Sequence, residues 1–255
     1  MYDQNQTRIA EILLLGFPNA YHLKVLLFTI FLLIYVVTLT GNVVIVVLVS
    51  VHRRLHTPMY FFLSLLSSSE VISTTNIVPK MLSVILKDGD SMSFAACLTQ
   101  FYIFSASTNS ECFLLTVMSF DRYLAICNPL RYNAIMDFKL RINLVVWSWI
   151  TGLMVTLLIA ILVSNLKFCG PNVIDHFFCD LSPILQLSCS DTTTVKTQAF
   201  IFSVPVIVLP FIFIFVTYVF ISFAILRLSS HNKRQKKPSP LVVPTWLLYV
   251  CIMGL

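Results

Sequence analysis

Charge is the scarcest commodity in this 255-residue sequence: Asp, Glu, Lys and Arg make up 11% of it. Soluble globular domains carry about 25% charged residues and 45–50% apolar ones, whereas here 58% are hydrophobic and the mean hydropathy is +0.88. A soluble enzyme is excluded on those grounds. Glycine is also sparse, at six residues, and with eleven prolines it rules out a collagen-like or low-complexity chain. No glycine-rich phosphate loop, paired-carboxylate site or metal-spaced His/Cys cluster is found. His52 and His56 are four apart but sit in a short basic stretch with no third ligand, and His176, between Asp175 and Phe177, reads as a surface histidine. The sequence therefore predicts no catalysis, no metal and no cofactor. A cleavable signal peptide is missing too, because the start is polar and acidic and the apolar stretch Ile12–Phe17 is too short.

Long apolar runs are what the chain has instead. They cover Val25–Val51, Met59–Val78, Cys97–Phe120, Asn143–Val163 and Ala199–Leu226. Each reaches the roughly 20 residues that an α-helix needs to cross a hydrocarbon core. The fold class expected is all-α, a polytopic membrane bundle of five helices in contact with lipid. A sixth run, Leu241–Leu255, contains Pro244 and falls short of a span.

The net charge of +6 would suit a nucleic-acid partner if it were evenly spread, but its placement argues otherwise. The stretches after the first, third and fifth runs carry Arg53, Arg54, Arg122, Arg131, Lys139, Arg141, Arg227, Lys233, Arg234, Lys236 and Lys237 against only Asp121 and Asp137, a net +9. The opposite stretches sum to −1, and Glu70 and Glu111 inside the runs complete the count. Because Lys and Arg are retained on the cytoplasmic side, the N-terminus is expected outside. The sequon Asn5-Gln6-Thr7 falls on that outer side, so Asn5 is a candidate glycosylation site. So do Cys97, Cys169, Cys179 and Cys189, an even number in an oxidising compartment, with three pairings open. The outer segment from about Ser164 to Lys196 holds three of those cysteines and is long enough to fold over the bundle mouth as a lid.

Polar residues inside spans are costly and point to function. Asn42 and Glu70 are placed to hydrogen-bond between the first two helices, and Glu111 lies within the third. Asp121-Arg122-Tyr123 closes the cytoplasmic end of the third helix, where an Arg held by its neighbouring Asp can be released to a partner when helices shift.

The wider context of that tripeptide carries a resemblance. The string Met118-Ser119-Phe120-Asp121-Arg122-Tyr123-Leu124-Ala125-Ile126-Cys127-Asn128-Pro129-Leu130-Arg131-Tyr132 resembles the helix-three signature of olfactory receptors, within the rhodopsin-like G-protein-coupled receptors. Leu55-His56-Thr57-Pro58-Met59-Tyr60-Phe61-Phe62-Leu63-Ser64, Gly41-Asn42, Phe168-Cys169-Gly170-Pro171-Asn172 and His176-Phe177-Phe178-Cys179-Asp180 are similar to family motifs in the same order.

The resemblance implies a seven-helix type of bundle, disulfides Cys97–Cys179 and Cys169–Cys189, and a G-protein switch of Asp121, Arg122 and Tyr123, with Tyr218 and Pro210 as helix-five features. It implies an odorant cavity at Phe104, Ser105, Thr108 and Asn109 on the third helix and at Phe202, Ser203, Val206 and Ile207 on the fifth. The partners implied are a small volatile organic ligand and a heterotrimeric G protein of the olfactory stimulatory type, acting through cyclic AMP at the cell membrane. Glu70 stands where the family commonly has Asp, and its extra methylene argues against a sodium-binding role.

By this reading, residues 1–22 are an extracellular N-terminus, 23–235 the transmembrane domain and 236–255 an aberrant apolar tail. The family continues with Lys-Ala-Phe-Ser-Thr-Cys-Ser-Ser-His-Leu, whereas this chain reads KKPSPLVVPTWLLYVCIMGL from Lys236. Possible codons for that stretch, read one register away, yield the family sequence, so a frameshift near Lys236 is expected. The alternative function is then a non-signalling receptor, retained in the endoplasmic reticulum or acting by association with intact receptors.

Overall fold

The computed structural model describes residues 11–16, 21–169 and 172–231. Asn5, the apolar run Leu241–Leu255 and the tail 236–255 lie outside the described residues. Five long helices dominate: α1 (Tyr21–Val51), α2 (Pro58–Lys87), α3 (Phe94–Cys127), α5 (Phe138–Ser164) and α7 (Thr193–His231). Two short ones, α4 (Pro129–Ile135) and α6 (Leu181–Gln186), lie in connections. Local chemistry sets the breaks. Thr57 is extended and Pro58 opens α2, where a missing N–H costs nothing. Ser93 caps α3 by accepting from the Ala96 amide at 3.2 Å, and Asp137 caps α5 by accepting from the Leu140 amide at 2.8 Å. After α2 the chain reverses through Asp88 (φ 61°) and Gly89 (φ 123°), with Lys24 of α1 ion-paired to Asp88. A side chain at Gly89 would be strained by that backbone conformation.

A small sheet at one end of the bundle sets the direction of every helix. β1 (Glu11–Leu14) precedes α1, β2 (Asp90–Ser93) joins α2 to α3, and β3 (Val173–Ile174) lies between α5 and α7. They form one sheet in the order β2-β1-β3, antiparallel between Glu11 and Ser93 and parallel between Leu13 and Val173. The starts of α1, α3 and α7 and the ends of α2 and α5 therefore gather at this sheet end, and successive long helices alternate in direction. Along β1 the period of two sends Ile12 and Leu14 inward, fully buried, against Val84, Cys97, Val163, Ile174 and Ile184. A second cluster, around Phe62, Leu66, Leu114 and Met118, fills the α2–α3 contact farther along.

Among the described residues, four helical segments are long and apolar enough to cross a membrane: Leu23–Val51, Pro58–Lys87, Phe138–Ser164 and Thr193–Leu226. The fifth expected span is the exception. α3 has 34 residues and runs the same course as its neighbours, but its serines, Glu111 and Asp121 lower its hydropathy. The reason is its position. It packs against α2, α4, α5 and α7, so protein rather than lipid surrounds it, and its polar groups are buried among neighbours that can satisfy them. α1, by contrast, packs on α2 and exposes Val36, Val37, Val47 and Leu33.

Candidate ligand-binding site

Below the sheet, between α3, α5, α7 and the connection carrying β3 and α6, lies a cavity of about 440 Å³, within the range of about 300–1,000 Å³ of small-molecule sites. α3 supplies Phe101, Phe104, Ser105, Thr108 and Asn109, and α5 supplies Thr156 and Ile159. The lid segment supplies Phe178, Asp180, Leu181, Ser182 and Leu185, and α7 supplies Lys196, Ala199, Ser203 and Ile207. Helical spacing selects these residues. Positions 104, 105 and 108 share a face of α3, and 196, 199, 203 and 207 run along one face of α7.

The lid is held rigidly over this space. Cys97 is joined to Cys179 (Cα–Cα 5.4 Å) and Cys169 to Cys189 (Cα–Cα 5.8 Å). The Cys179 amide donates to Gln100 Oε1 at 3.0 Å, Gln100 Nε2 donates to the Asn76 carbonyl at 2.9 Å, and Asn76 Nδ2 donates back to the Gln100 carbonyl at 2.8 Å. One network thus ties lid, α3 and α2, and it fixes Phe178 and Asp180 on either side of Cys179. Phe178 packs edge-on to Phe104, with centroids 5.8 Å apart, and to His176 at the same distance. Deeper in, Asn109 Nδ2 donates to Thr156 Oγ1 at 3.1 Å, and Thr156 donates to the Gly152 carbonyl at 3.0 Å.

Six of the eight cavity residues expected from the sequence meet here: Phe104, Ser105, Thr108, Asn109, Ser203 and Ile207. Phe202 and Val206 do not line the cavity, because they lie about 100° round the helix from their neighbours 203 and 207; Val206 is buried between helices and Phe202 is partly covered. Sequence reasoning missed Asp180 and Lys196. The signals were available: Asp180 follows the cysteine tied to α3, and Lys196 is two turns before Ser203 on the same face.

Midway along the bundle the side chains of Asn42 on α1 and Glu70 on α2 interact, and the buried Glu111 of α3 lies within electrostatic reach of Glu70 and beside the buried Ser69.

At the far end from the sheet, Asp121 departs from expectation. Its carboxylate is buried and accepts from the Tyr132 hydroxyl of α4 at 2.9 Å. Among the described residues it forms no ion pair with Arg122. Successive residues of a helix point about 100° apart, so Asp121 reaches inward to α4 and Arg122 does not follow it. Tyr123 packs edge-on to Phe220 of α7 at 6.2 Å, and Phe120 tilts against Phe213 at 6.5 Å. Tyr218 is half-buried on the same helix, and among the described residues no hydrogen bond joins it to Asp121 or Arg122.

Comparison with known proteins decides the family. A family profile described as olfactory receptor matches residues 31–253. The chain belongs to the olfactory receptor family. It is 47% identical to human Olfactory receptor 11L1 over 92% of this chain and 73% of that protein. Human Olfactory receptor 10A7 is also 47% identical, with 92% and 75% covered, and mouse Olfactory receptor 2A7 is 42% identical, with 98% and 79% covered. This olfactory receptor chain is a multi-pass membrane protein.

Proposed function

We propose that the chain detects small, mainly apolar organic molecules in the cavity beneath the lid and passes that occupancy to a heterotrimeric G protein of the olfactory stimulatory type. The observation that carries this reading is the cavity itself, covered on one side by a disulfide-tied lid and walled by aromatic and aliphatic groups with a few hydroxyls, one amide and the charged Asp180 and Lys196. Such a wall captures a volatile molecule by burial, worth about 0.8 kcal/mol per CH₂, and orients it by one or two hydrogen bonds. In this reading the sheet end faces outward and the end with Arg53, Arg54, Arg131 and Arg141 faces the cytosol, following the charge asymmetry.

The route from ligand to G protein follows from the helices that line the cavity. α3 and α7 both touch the ligand space and meet again through Phe120–Phe213 and Tyr123–Phe220. Pro205, within the cavity stretch, and Pro210, between that stretch and Phe213, interrupt the backbone ladder of α7 and make it the helix that yields. A ligand that pushes Ser203 and Ile207 outward tilts α7 about that point and shifts its contacts beside Arg122, which forms no ion pair among the described residues.

The test is a cyclic-AMP assay in cells that carry an olfactory-type G protein, with a panel of odorants and surface staining. The expected result is a dose-dependent response that Arg122→Ala removes while surface staining stays level. A response of equal size in Arg122→Ala would overturn the switch, and silence of the surface-exposed parent to the whole panel would overturn the coupling.

A further inference from the structure

On the reading that the cavity is the ligand site, we infer that Asp180 anchors the ammonium group of a small primary amine whose apolar tail fills the space toward Ile207. Two opposite charges line the cavity, Asp180 from the lid and Lys196 from the first turns of α7. They are not equivalent. Lys196 is exposed and lies within electrostatic reach of Asp191, a carboxylate that is not part of the cavity wall. Its charge is thereby compensated from outside. Asp180 is half-buried and fixed next to Cys179, and among the described residues its carboxylate has no ion pair and no hydrogen-bond donor. It stands at the N-cap of α6 with no side-chain cap bond and, among the described residues, no cation paired to it, in a half-buried position where an opposite charge interacts more strongly than in bulk water.

The neighbouring wall has the same preference. Phe104 and Phe178 meet edge-on beside Asp180, and Phe101 completes an aromatic side. Aromatic faces carry negative potential and attract cations, with no matching attraction for anions. A carboxylate with aromatic rings beside it suits an ammonium, whose N–H groups donate to the Asp180 oxygens while the first methylenes rest on the rings. Lys196 also lines the cavity, and its positive charge disfavours a bound ammonium.

The experiment measures binding to the purified full chain in lipid nanodiscs at neutral pH by calorimetry, with hexan-1-amine, hexan-1-ol and hexanoic acid as probes. The amine should bind about tenfold tighter than the alcohol, the order expected for one charge-assisted hydrogen bond, and the acid weakest. Asp180→Asn should erase that preference, bringing the amine down to the affinity of the alcohol in the same variant, and Lys196→Met should tighten amine binding severalfold. The ranking on the unaltered chain and the Lys196→Met result stand even if Asp180→Asn fails to fold, which its melting curve would reveal. An amine preference that survives in folded Asp180→Asn, an alcohol bound as tightly as the amine, or an acid bound tightest and lost in Lys196→Met would overturn the inference while leaving the cavity as a ligand site. Failure of all three probes to bind would overturn the cavity reading itself.

Discussion

Tyr132 and Asp121 show what one residue contributes at the end far from the sheet. Without Tyr132 the buried Asp121 carboxylate loses its donor, so Tyr132→Phe should cost about 1–3 kcal/mol, the range for leaving such a group unsatisfied. Burial, and then the hydrogen bond to Asp121, push the Tyr132 hydroxyl up to about 12 from 10.0. The folded state therefore favours the protonated phenol. That stabilisation is complete below pH 10 and disappears as the pH rises toward 12. Melting curves of the parent and Tyr132→Phe should differ at neutral pH and converge over that alkaline window; a constant gap would show that the hydroxyl titrates normally. Gly152 sets a different limit. A Cβ there would lie 2.9 Å from both the Ala106 carbonyl oxygen and the Ser110 nitrogen, so α3 and α5 approach as closely as they do only because this residue has no side chain.

At the scale of elements, the lid depends on its two covalent ties. Cys97–Cys179 spans 82 residues and Cys169–Cys189 spans 20, and the chain-entropy argument assigns them about 4–5 and about 3 kcal/mol respectively. Cys97→Ser should thus lower the melting temperature and cell-surface staining more than Cys189→Ser, and equal or reversed effects would argue against the long tie as the main restraint. The long apolar helices were legible in the sequence because their runs exceed a membrane's thickness, and the pairing of the cysteines followed from the family resemblance. The sheet was not legible. β1 is four residues long, and its partners β2 and β3 come from stretches after α2 and α5, so no local period marks it. Ile12–Phe17 read only as an apolar stretch too short to act as a signal. α3 looked like one more span, yet its polarity records that other helices enclose it. Tyr132 was visible as part of a motif, but nothing in the spacing announced that it, rather than Arg122, would be the partner of Asp121.

For the whole molecule, the sheet fixes alternating helices, α3 stands at their centre, and the disulfide-tied lid covers one side of a partly open cavity between α3, α5 and α7. Six residues of that cavity could be named in advance because the family resemblance implies a cavity at their positions. Asp180 escaped because lid positions have no helical period, and Lys196 because it sits in the first turn of α7, ahead of the apolar run that marked the helix. The central claim is that small organic molecules enter this enclosure rather than merely dissolving in the lipid around it. Photolabelling of the full chain in nanodiscs with an aliphatic diazirine analogue of hexan-1-ol, followed by mass spectrometry, tests it most directly. The account predicts adducts on Phe104, Thr108, Ser203 and Ile207 that excess hexan-1-ol suppresses, and adducts confined to lipid-facing residues such as Leu209, Phe211 and Phe215 would contradict it.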